Sequence, residues 1–66
     1  DYPSDYRVYE WLAFVDGELA AQKGGSYQQT LAYYNKAMEL YQTAQAQGVY
    51  DPQMDQLKRM AANYWQ

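Results

Sequence analysis

The stretch from Gly25 to Gln47, G-S-Y-Q-Q-T-L-A-Y-Y-N-K-A-M-E-L-Y-Q-T-A-Q-A-Q, constrains this chain more than any other. Apolar or small residues recur at Tyr27, Thr30, Leu31, Tyr34, Ala37, Met38, Tyr41 and Ala44. Those steps of three and four draw one stripe down one side of a helix. Gln28, Asn35, Lys36, Glu39 and Gln42 fall on the opposite side, which suits water. Ser26 and Gln29 form a capping-box pattern, S-x-x-Q, and Gly48 suits a C-terminal stop. The spacing predicts a helix over 26–47, about 30 Å long.

The flanks read as helices folded back on that one. The lead-in Asp1 to Ser4 is polar, and Pro3 disfavours helix at Tyr2. Ser4 or Asp5 can cap a first helix, predicted over 6–22, with Asp5 and Glu10 toward the end where negative charge is favoured. Val8, Leu12, Val15 and Leu19 give its stripe, widened by Trp11, Phe14, Ala13 and Ala20. So wide an arc implies contact on more than one side. Gly17 lies mid-helix, costing on the order of 1 kcal/mol against Ala unless a neighbour approaches there. Gly24-Gly25 turns the chain. After Gly48-Val49-Tyr50, Asp51 as cap and Pro52 at the first helical position start a third helix, predicted over 52–65. Its stripe is Met54, Leu57, Ala61 and Tyr64, with Met60 beside it. Short links predict antiparallel neighbours. No alternating Val/Ile/Thr run or Asn-Gly turn signals a strand. The expected architecture is one all-α domain over 1–66, three antiparallel helices arranged as a helical hairpin plus a third helix.

Composition then narrows function. A chain of 66 residues buries a modest core and is marginal alone. Disulfides and Cys/His metal sites are excluded, since the sequence has no Cys and no His. Good helix packing or a partner must supply the stability. A net charge of −3, with Lys58-Arg59 as the one adjacent basic pair, argues against nucleic acid. No apolar run is long enough to span a membrane, and no signal peptide is visible. The chain opens on Asp1 rather than Met, so it is expected to be processed or excised from a longer protein; the compartment stays open.

No motif carries catalysis or a cofactor. Asp16 and Glu18 diverge on a helix, and Asp51 and Asp55 are explained by capping, whereas acid/base pairs must converge. Ser4 and Ser26 are cap positions with no activating His or Cys. Gly24-Gly25 lacks the preceding strand and the G-K-[ST] of a phosphate loop. The informative set is aromatic, 18% of residues and mostly Tyr. Tyr27, Tyr34, Tyr41 and Tyr64 fall on core stripes. Tyr6, Tyr9, Trp11, Tyr33, Tyr50 and Trp65 are the candidate protein-interface residues, because so small a bundle cannot hide all its aromatics and such side chains favour interfaces.

The segment G-S-Y-Q-Q-T-L-A-Y-Y-N-K-A-M-E-L resembles the second half of a tetratricopeptide repeat, G-x-Y-x-x-A-x-x-x-[FY]-x-x-A. Gly25, Tyr27, Tyr34 and Ala37 stand in the matching places, and Thr30 replaces the small Ala. The first half departs: Phe14 falls where the family has Trp, and Gly17, Glu18 and Ala21 where it prefers Leu, Gly and Tyr. The resemblance implies a helical hairpin that binds protein and stacks on neighbours, since single repeats cannot bury their faces. The expected function is a non-enzymatic interaction module without cofactor. Its expected role is as a subunit of a larger, self-associating assembly such as a filament or virion part. The alternative is a monomeric adaptor holding a peptide in a helical groove.

Overall fold

A computed structural model describes residues 5–65 of the chain. The lead-in with Pro3 and the alternative cap Ser4 lies outside the described residues, as does Gln66. Three helices follow one another: α1 (Tyr6–Lys23), α2 (Gln28–Ala46) and α3 (Pro52–Asn63). Among the described residues there is no strand, so the fold is all-α.

Each helix begins and ends for a local reason. Asp5 caps α1, its carboxylate accepting from the Arg7 amide at 2.9 Å. Asp51 caps α3 by accepting from the Gln53 amide at 3.0 Å, with Pro52 in the first turn. The start of α2 corrects the sequence reading. Its cap residue is Tyr27, and Ser26, one position earlier, accepts from the Gln28 amide at 3.1 Å. Gln29 does not reach back; it donates to the Tyr33 hydroxyl at 3.0 Å. At their C-termini α1 and α2 close alike. Gly24 (φ 68°) and Gly48 (φ 92°) adopt the left-handed conformation. The following amides reach back to Ala20 and Ala44, at 3.0 Å each. This is the double-bonded glycine closure that satisfies the last free carbonyls.

Pairing follows from the contacts. Asp16 meets Thr30 and Tyr6 meets Tyr41, so α1 and α2 are antiparallel. Tyr41 meets Asp51 and Tyr34 meets Trp65, so α2 and α3 are antiparallel too. Tyr6 touches Asp51 and Gly17 touches Trp65, so α1 and α3 run side by side in the same direction. α1 and α2 approach closely along much of their length, and α3 meets each over a shorter stretch.

The core is Tyr6, Ala13, Ala37, Tyr41, Met54, Leu57, Ala61 and Trp65. On α2 the expected stripe is the buried one. On α1 it is not. The buried residues are Tyr6, Glu10, Ala13 and Gly17, while Val8 and Leu19 are 43% and 46% exposed. The two stripes lie two residues apart in sequence, about 200° round the helix, hence on opposite faces. The buried side carries two small residues, Ala13 and Gly17, where neighbours can come close. Ala13 is fully buried, and a Cβ on Gly17 would stand 2.8 Å from Cζ2 of Trp65. On α3 the helix stops at Asn63, and Tyr64 leaves helical geometry (φ −123°). That break puts Trp65, not Tyr64, into the core: 2% against 67% exposed.

Candidate functional site

The outer face of α1 is not used by the core. Val8, Trp11 (63% exposed) and Leu19 stand open on it. Leu12 and Val15 lie between them, half-covered, and neither belongs to the hydrophobic cluster packed around the core. Scattered exposed apolar side chains are ordinary, but Val8, Trp11 and Leu19 share one side of one helix.

The six aromatics singled out from the sequence do not gather on one surface. Trp11 lies on the outer face of α1. Tyr50 is 70% exposed in the α2–α3 link, where its hydroxyl donates to Asp55 at 2.9 Å. Tyr9 and Tyr33 are half-buried and packed against the core. Tyr6 and Trp65 are corrections, since both belong to the core itself. The Tyr6 ring packs on Tyr41 at 4.8 Å between centroids, and Trp65 sits edge-on to Tyr34 at 6.3 Å.

A partly buried polar cluster lies where all three helices meet. Asp51 is its hub. Its carboxylate accepts from the Tyr6 hydroxyl at 3.1 Å while its amide donates to the Tyr41 hydroxyl at 2.7 Å. Glu10 is 5% exposed beside it, and its Oε2 is buried with no hydrogen-bond partner. Burial, followed by the neighbouring Asp51 carboxylate, pushes Glu10 up to about 7. Burial and the bond to Asp51 likewise raise Tyr6 to about 12. The local pattern gave no sign of this cluster, because Glu10 and Asp51 meet only through tertiary packing.

Two carboxylates and two phenols could in principle exchange a proton. However, neither Glu10 nor Asp51 lines the adjacent groove, about 570 Å³, which runs past Tyr6, Leu40, Ala44 and Val49. Tyr6 is the cluster member that lines this groove, and through its bonds the cluster joins the three helices. Two further acids have partners of their own: Asp16 accepts from the buried Thr30 hydroxyl at 2.6 Å, and Asp5 pairs with Arg7. Among the described residues no group of three or more potential metal ligands converges, and no helix is long and apolar enough to cross a membrane. Comparison with family models, curated proteins and solved structures finds no match to this chain.

Proposed function

We propose that this chain is a non-enzymatic protein-interaction module, a subunit of a self-associating assembly of the filament or virion type. The observation that carries the reading is the row of Val8, Trp11 and Leu19, each more than 40% exposed on the α1 face turned away from the core. A small bundle without staples gains from covering such a row, at about 25 cal/mol per Å² of apolar surface removed from water. Kinship with the tetratricopeptide hairpin belongs to the same reading, because such hairpins complete their cores by stacking. Light scattering after size exclusion, over a range of concentrations, tests it. The expected result is a species heavier than the 7.7 kDa chain, growing with concentration. A 7.7 kDa particle at every concentration overturns it.

The groove past Leu40, Ala44 and Val49 favours a second reading, a monomeric adaptor that seats a peptide between the start of α1 and the end of α2. That reading requires a monomer whose Val49 and Ala44 resonances move on adding a partner peptide.

A further inference from the structure

The outer row of α1 has the spacing of one helix face, and over its short length that spacing also fits a coiled-coil seam. Val8, Leu12, Val15 and Leu19 are separated by four, three and four residues. That is the alternation of a coiled-coil seam, in which the step of three runs from an a position to a d position. The assignment is unique: Leu12 and Leu19 are a, and Val8 and Val15 are d. Glu10 and Gly17 then fall at f, directly behind the seam, and both are buried in the core. The body of the domain thus lies on the far side of α1, with Val8 and Leu19 open at the two ends of the seam and Leu12 and Val15 partly covered between them. Trp11 and Glu18 occupy g and are exposed; Lys23, in the last turn, occupies e and is exposed.

We infer that α1 packs against α1 of further copies of this chain, parallel and in register, through Val8, Leu12, Val15 and Leu19. This inference rests on the self-association reading above and specifies its geometry. Charge decides the orientation. In a parallel pair a g side chain meets the e side chain of the next heptad on its neighbour, which brings Glu18 of one copy to Lys23 of another at each contact. An antiparallel pair with the same apolar layers sets g against g and e against e. Glu18 then faces Trp11, Asp16 faces Tyr9, and no opposite charges meet. The seam residues bear on number. Leu at a with a β-branched residue at d shifts the preference from two strands to three or four. Trp11 at g widens each seam in the same sense. The domains then radiate outward around a central α1 bundle.

The test uses the full chain. Equal amounts of unlabelled and 15N-labelled protein are mixed, coupled with a zero-length carbodiimide and mapped by mass spectrometry. Mixed-isotope Glu18–Lys23 cross-links are expected. Glu18→Lys should weaken association roughly fivefold, and Glu18→Lys combined with Lys23→Glu should restore it, since each exposed ion pair contributes modestly. Val15→Glu should leave the helical circular dichroism intact and give monomers. The two charge variants alter only exposed positions, so they remain informative if Val15→Glu perturbs folding. Oligomers that survive Val15→Glu in folded protein overturn the α1 interface but leave self-association standing. Loss of oligomers by Val15→Glu, with no mixed Glu18–Lys23 cross-link and no response to the charge variants, overturns the parallel register. A wild-type chain that is monomeric throughout overturns the self-association reading and this inference with it.

Discussion

Two residues on the inner face of α1 carry the sharpest consequences. Glu10 is held nearly out of water with its carboxyl raised to about 7, from an ordinary value of 4.5. The folded state therefore binds a proton that the unfolded state gives up. Stability from this residue is full below pH 4.5 and is lost as pH rises through about 7. Glu10→Gln removes the titrating group and keeps the shape. Urea melts should show it more stable than the wild type at pH 8, with a flatter slope between pH 5 and 7. Gly17 is the second case. An alanine there gains about 1 kcal/mol of helix propensity. It also drives a methyl into the Trp65 ring, 2.8 Å away, where overpacking costs about 1–3 kcal/mol. Gly17→Ala should lose about 1 kcal/mol net in the same melts, and a gain would mean that Trp65 yields freely.

At the level of the helices, the sequence was most legible where one face was apolar and the other polar. α2 is such a helix, and its stripe from Thr30 to Tyr41 is the buried one. α1 offered two faces. Periodicity ranks faces by apolarity, whereas packing selects by fit, and the side carrying Ala13 and Gly17 fits its neighbours. Trp65 was illegible for a different reason: helical projection stops where the helix stops, and the backbone after Asn63 redirects it. The six candidate interface aromatics suffered from both effects, so Tyr6 and Trp65 turned inward while Trp11 and Tyr50 stayed out. Asp51 shows how a strong local signal can understate a residue. It reads as a helix cap, and it also joins α3 to Tyr6 and Tyr41. Asp51→Ala should cost about 1–2 kcal/mol through the lost cap and the stranded hydroxyl. It should also lower the Glu10 pKa by removing the neighbouring carboxylate, which NMR titration of the Glu10 side chain would follow.

Taken whole, the molecule is a close hairpin with a third helix clamped across it. α3 has 12 residues and meets each partner over a short stretch. Its amides should therefore exchange with deuterium faster than those at the centre of α2, because elements with less buried contact open first. Equal protection across all three helices would show that the domain opens only as one unit. The same architecture divides the two tryptophans between inside and outside. Trp65 is 2% exposed against Gly17 and Tyr34, and Trp11 is 63% exposed on the outer face of α1. The chain thus carries two optical reporters with separate duties. Trp65 emits from a dry site and senses unfolding, while Trp11 emits from water and is open to quenching by iodide until another surface covers it. Trp11→Phe and Trp65→Phe would isolate each signal, so that unfolding and the exposure of the outer α1 face can be followed independently in one cuvette.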